Sequence, residues 1–283
     1  MSELGRTEAW RRTAWKPEGE EEPLETLEVS RAEGVVTVTM NRPGRKNALT
    51  GTMLEELRST FDGVASRAED RVLVLTGAGG DFCSGADLSD AGRPPIGDPQ
   101  SGLDLVRRLG DVALSLHRLA KPTIAKVDGV AVGAGLGLAI ACDLVVVSDR
   151  ARLSMIFVHR ALSPDCATSW LLPRLVGSVK AKELAYFGEV IDAETALRIG
   201  LVNRVVAEGE LDAAVTDWAT RLAAGPALAL STAKALLDSA WSSSFADALE
   251  REAECQAVNI AGADVREALA AFLEKRAPRF GAS

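Results

Sequence analysis

Apolar and polar positions fall into a regular pattern from Leu27 onward. LEVSRAEGVVTVTMNRP alternates the two classes on either side of Glu33-Gly34, which predicts a hairpin of two half-buried strands. Leu54, Leu57, Phe61 and Val64 then recur at helical spacing, so residues 50 to 66 read as an amphipathic helix with Thr50 as its N-cap. RVLVLTG is a short apolar run that predicts a buried strand ending at Gly77. DAGRPPIGDPQSG is crowded with Gly, Pro and Asp and reads as a mobile loop, after which Leu103 to Leu119 returns to helical spacing. TIAKVDG and LVVVS supply two more strands, with GAGLGLAIACD as a short buried helix between them. Strands alternating with helices predict an α/β layered core. Beyond Gly225 the strand signal ends, and PALALSTAKALLDSAW, SFADALEREAECQAVNI and DVREALAAFLEKR are all helical by period. The chain therefore divides into an arm (1–25), a core (26–225) and a helical C-terminal region (226–283).

Composition narrows the function. The 283 residues are 47% hydrophobic but contain no apolar run long enough to span a bilayer, which predicts one large soluble domain with an appendage and no membrane partner. A net charge of −8, from 40 acidic and 32 basic residues, comes without a basic stripe interleaved with aromatics, so nucleic acid is excluded as a partner. Cys83, Cys142, Cys166 and Cys255 form no C-x-x-C pair, which argues against a zinc site or a disulfide framework and for a reduced, cytoplasmic setting. MSELGRTEAWRRTAWKPEGEEEP has neither an h-region nor a small-residue cleavage site. It reads as a flexible arm, with Trp10 and Trp15 available to dock on a neighbouring subunit.

Two glycine-rich segments hold the candidate chemistry. VDGVAVGAGLGLAIACD carries Gly133, Gly135 and Gly137, but Leu138 breaks the dinucleotide fingerprint and no Gly-Lys-Ser/Thr follows, so neither nucleotide motif is satisfied. What remains is a strand running into a small-residue helix start, where unpaired N–H groups and a positive dipole favour an anion; close helix–strand packing explains the same residues. LTGAGGDFCSGADL sets a second group of free N–H donors at the end of a core strand. A nucleophile elbow on Ser84 or Cys83 is discounted, because Phe82 occupies the place of the first glycine and only His117 and His159 could serve as base.

NRPGRKNALT, FCSGADL, KPTIAKVDGVAVGAGLGLAIACDLVV, PDCATSWLLPRLVG, GLVNRVV and AFLEKRAPRF follow one another over residues 27 to 280. In that order they resemble the crotonase superfamily, the enoyl-CoA hydratases and isomerases. The resemblance implies a spiral of ββα turns followed by a helical trimerisation region, a homotrimer or dimer of trimers, and an acyl-CoA thioester as substrate. No metal or separate cofactor is implied, since coenzyme A is part of the substrate. It also implies an oxyanion hole from the backbone N–H groups of Ala86 and Ala134, which agrees with the two anion-holding corners. Ala48, Asp87 and Leu88 are carried over as ligand contacts, and Lys275 to Phe280 as a segment reaching a neighbour's CoA. Arg45 or Lys46 would meet a phosphate, solvated turn charges being the alternative.

The pattern breaks where family hydratases keep two glutamates. Those positions are Gly137 and Phe157 here, and the resemblance implies that Phe157 faces substrate where a carboxylate would hold water. Asp165, eight residues beyond Phe157, is the acid that remains. An aspartate at this position, an aromatic at the second glutamate site and PDCATSWLLPR resemble the epoxyphenylacetyl-CoA isomerases of the superfamily. Isomerisation needs a single base that takes a proton and returns it elsewhere. The expectation is an acyl-CoA isomerase working through an oxyanion-stabilised enolate with Asp165 as base. The alternatives are an enoyl-CoA hydratase of fatty-acid β-oxidation, a catalytically silent acyl-CoA-binding homologue and, as a minor one, an aryl-CoA dehalogenase. The dehalogenase histidine position falls on Gly110, with His117 seven residues later. Asp165 also reads as an N-cap for CATSWLLPRL, His117 as a helix-surface residue, and His159 as a polar residue without a defined task.

Overall fold

The computed structural model of the chain describes residues 24–88 and 99–281. Strands β1 (Leu27–Ala32) and β2 (Val35–Met40) form the expected antiparallel hairpin, with Leu27 opposite Met40 and Ala32 opposite Val35. Both turn residues, Glu33 and Gly34, have positive φ, which matches the right-handed twist of the strands. Alternation puts Val36, Val38 and Met40 in the core and leaves Val35, Thr37 and Thr39 less buried. Helix α1 (Gly51–Ser66) begins where Thr50 Oγ1 accepts from Met53 N at 3.2 Å, and buries Met53, Leu54, Leu57, Phe61 and Val64. Strand β3 (Val72–Gly77) is a continuous apolar run because both of its faces are covered.

Helix α2 spans Pro99–His117, starting four residues earlier than the periodicity indicated and stopping two earlier. A proline at a first helical position lacks only an N–H that would have no intrahelical partner. The expectations for the N-terminal arm and for most of the glycine- and proline-rich loop fall on residues 1–23 and 89–98, outside the described residues.

From β4 (Thr123–Val127) the chain steps to β5 (Val130–Val132), enters helix α3 (Ala134–Ala141) and returns as β6 (Leu144–Ser148). It steps out again as β7 (Arg152–Ser154), runs through α4 (Thr168–Phe187), pairs as β8 (Val190–Asp192), and passes α5 (Ala193–Arg198) to β9 (Arg204–Val206) and α6 (Leu211–Ala223). The larger sheet has the order β1-β2-β3-β4-β6-β9, parallel after the first pair, and the smaller has the order β5-β7-β8. From β4 onward each turn of chain thus contributes one strand to each sheet, which is the spiral of ββα turns, while β1, β2 and β3 all lie in the larger sheet. Single bridges between Cys83 and Ala131 and between Leu49 and Ala86 carry the β1–β3 turn into the smaller sheet. Every residue of α3 is buried, so that helix has no polar face to show a period.

Helices α7 (Ala227–Ser239), α8 (Phe245–Ala261) and α9 (Ala263–Glu274) follow. Lys234 of α7 ties them to the core through Asp143 at 2.9 Å, and Arg71 Nη2 donates to Gly225 O at 2.8 Å. Among the described residues no helix is long and apolar enough to cross a membrane.

Candidate active site

Two backbone N–H groups lie near the corner where Gly85 meets the start of α3. Leu49 N donates to Gly85 O at 2.8 Å and Asp87 N donates to Leu49 O at 2.9 Å, so both neighbours of Ala86 are spent on Leu49. The Ala86 N–H is turned the other way. Ala134 is the first residue of α3, where an N–H has no intrahelical acceptor. Its approach to Ala86 depends on glycine: a Cβ on Gly85 would stand 2.9 Å from Val132 O and 3.5 Å from Ala134 N. Gly133 turns the chain with φ +57, and a Cβ there would lie 3.9 Å from the ring of Phe157, which is buried beside this corner.

The turn before α4 packs against α3 at Gly137. Asp165 does not cap this helix with its side chain. Its main-chain carbonyl accepts from Thr168 N at 3.0 Å and Thr168 Oγ1 at 2.7 Å, while carboxylate atom Oδ1 is buried with no hydrogen-bond partner. The capping expectation is corrected here. Ala167 occupies the N-cap position in the left-handed region, following Cys166 at φ +48, so two consecutive non-glycine residues hold a conformation costing roughly 1–3 kcal/mol each. Such strain persists only where packing over-determines it, and here it keeps the carboxylate off the helix end. Burial alone pushes Asp165 up to about 6, with no cation or donor pulling it back.

Gly137 explains why no glutamate stands on α3. A Cβ there would lie 2.5 Å from Cys166 O and 2.9 Å from Cys166 Cβ. The Asp165 turn has moved into the space that a side chain on α3 would need. Burial pushes the Cys166 thiol far up and raises Cys83 to about 12, and Ser84 Oγ donates to Arg45 O at 3.3 Å, so neither elbow candidate is an activated nucleophile.

Ala48 is buried and Leu88 is half exposed, and the Asp87 carboxylate faces Arg42 Nη2 at 3.0 Å. Lys46 stands exposed, 3.4 Å from Asp81, and Arg45 is exposed on the same turn. A cavity of about 740 Å³ opens between α2, α4 and α7, walled by Gly110, Ala113, Ala167, Trp170 and Leu171. His117 is no plain surface residue: it lines this cavity, edge-on to Trp170 at 5.7 Å and 4.0 Å from Asp238. His159 is exposed and packs against Gly188.

Two polar residues were not singled out from the sequence, although both lie in the quoted NRPGRKNALT. Asn47 is fully buried, accepts from Arg42 N at 2.8 Å, and donates to Ala78 O at 2.9 Å and Asp81 O at 2.7 Å. Arg42 joins Ala48 O to Asp87. A buried asparagine in a turn was the available signal; the partners 31 to 45 residues away were not visible.

The enoyl-CoA hydratase/isomerase family model matches residues 30–283. The chain belongs to this family, within the crotonase superfamily. The 1,2-epoxyphenylacetyl-CoA isomerase of Escherichia coli (strain K12) is 37% identical over 248 residues, 87% of this chain and 95% of that protein. The trans-2-decenoyl-[acyl-carrier-protein] isomerase of Streptococcus mutans serotype c is 32% identical, over 87% of this chain and 94% of its own. The crystal structure of an enoyl-CoA hydratase from Bacillus anthracis superposes with a TM-score of 0.87 at 31% identity, covering 92% of this chain and all of that one. Both isomerases and hydratases thus stand among the relatives of this enoyl-CoA hydratase/isomerase family member.

Proposed function

We propose that the protein is an acyl-CoA isomerase that moves a double bond or an equivalent electron pair through a thioester enolate. In this reading the N–H groups of Ala86 and Ala134 donate to the thioester oxygen as negative charge develops on it. Preorganised donors of this kind are typically worth about 2.7–4 kcal/mol each in the transition state. Asp165, ionised above about pH 6, takes a proton from the α-carbon of a 3-enoyl ester, or from the γ-carbon of a 2-enoyl ester, and returns it at the other of these two carbons as the double bond shifts. Ala48, Asp87 and Leu88 line the path of the CoA moiety, Phe157 covers the acyl carbons, and Arg45 or Lys46 meets a phosphate.

The observation that carries the proposal is the pairing of Gly137 with Asp165. Cys166 fills the space beside Gly137, so α3 has no room for a water-holding carboxylate, while Asp165 offers one desolvated carboxylate with a free oxygen. The names of the Escherichia coli and Streptococcus mutans relatives support the isomerase class. The test is a panel of 2-enoyl- and 3-enoyl-CoA esters in D₂O, followed by mass spectrometry. Double-bond migration with deuterium incorporation is expected, and hydration of crotonyl-CoA at a hydratase's normal rate would overturn the assignment. Turnover of none of the panel would favour a silent acyl-CoA-binding homologue.

A further inference from the structure

We propose that Arg42 is a positioning residue whose guanidinium fixes the direction of the Ala86 N–H. The proposal rests on reading that N–H as an oxyanion donor. Nη1 donates to Ala48 O at 2.5 Å and Nη2 to Asp87 Oδ2 at 3.0 Å. One planar fork therefore grips the residue before Leu49 and the residue after Ala86. Between those two grips lie the bonds that join Leu49 to Gly85 and Asp87, so the peptide carrying the Ala86 N–H is held from both ends. Asn47 fixes the fork's own base by accepting from Arg42 N at 2.8 Å.

The pair is built to control an angle. The Asp87 side chain is 6% exposed and that of Arg42 23%, so water screens their attraction less than it would at the open surface. A lysine has the charge but not the rigid two-pronged geometry, and cannot hold both acceptors in one plane. Because a preorganised donor acts through its aim at the developing oxyanion, a small rotation of the Ala86 peptide removes rate while leaving ground-state binding of the CoA ester largely intact.

Two probes read this without knowledge of the physiological acyl group. Cinnamoyl-CoA absorbs further to the red when donors polarise its carbonyl, and butyryl-CoA exchanges its α-protons in D₂O when the site forms an enolate. Arg42→Lys is expected to lower kcat for exchange by about 10- to 100-fold and to shrink the red shift, with KM changed by less than about threefold. Asp87→Asn keeps the shape and an acceptor for the fork, and is expected to lose less; it carries the test should Arg42→Lys fail to fold. Folded variants that keep the full red shift and the wild-type exchange rate would overturn the proposal. So would a loss of thermal stability and affinity with an unchanged red shift, which is what a purely structural ion pair predicts. Failure of the underlying reading looks different, because the wild-type protein itself would then bind cinnamoyl-CoA without a red shift.

Discussion

A carboxylate that has lost water without gaining a partner holds its proton to a higher pH. Asp165 is such a group, raised by burial from 3.8 to about 6. At this group the folded protein therefore holds more of a proton than the unfolded chain between these values, and the contribution of Asp165 to stability falls as pH rises from about 4 to about 6 before levelling off. In the proposed role of base Asp165 works only when ionised, so turnover follows the opposite course: kcat/KM should climb to a plateau with an inflection near pH 6. Asp165→Asn should lower isomerisation by at least about 10²-fold. It should also remove the share of the stability slope that Asp165 contributes, leaving the protein as stable as wild type or more so at pH 8. Thermal melts and turnover measured on the same preparation decide the matter; unchanged turnover would leave the site without its base. Gly137 gives a second residue test. Even Gly137→Ala places Cβ against the Cys166 carbonyl, and overpacking of this sort costs roughly 1–3 kcal/mol. Urea unfolding should show that loss, and Gly137→Glu should lose more without gaining crotonyl-CoA hydration.

How far an element could be read from sequence depended on its length and on whether it kept a polar face. The β1–β2 hairpin and α1 were legible because half their positions face solvent, and alternation records that. β5, β7 and β8 are three residues each, too short for any period, so the smaller sheet was implied by the family resemblance to a spiral of ββα turns and not by the periodicity of these strands. The Asp165 turn misled in a more instructive way. Ser163-Pro164-Asp165 spells a helix start, but the left-handed conformations of Cys166 and Ala167, set by packing against α3, delay the helix to Thr168 and leave the carboxylate unspent. The attachment of α7 to the core is another long-range effect. Lys234 is 11% exposed and bonds to Asp143 at 2.9 Å, while Asp143 Oδ2 also accepts from Thr123 N at 2.8 Å. Lys234→Ala should cost about 1.5–3 kcal/mol, the range for hydrogen bonds to charged groups, and limited proteolysis should then cut near the α6–α7 junction sooner. Equal proteolysis of variant and wild type would show that α7 is held by other contacts.

At the scale of the molecule the unresolved question is what covers the C-terminal helices. Phe245, Phe272 and Leu273 are each about four-fifths exposed, with Trp241 and Leu237 nearby in sequence also open to water. A second apolar strip lies on the core, where Val179, Tyr186, Phe187 and Val190 at the end of α4 and the start of β8 are exposed. Scattered single apolar residues need no explanation, but two clusters of large ones on different elements of one chain do. Two unlike patches on one subunit are what a closed ring requires, since a heterologous contact uses a different face of each subunit and a threefold rotation closes it. We therefore expect a trimer or a pair of trimers, read by light scattering as three or six times the chain mass. Phe272→Asp with Leu273→Asp should shift the protein toward monomer while leaving its circular dichroism near native, because neither side chain is part of the chain's own core. A wild-type protein that scatters as a monomer at micromolar concentration would refute the assembly and leave both patches to be assigned to some other partner.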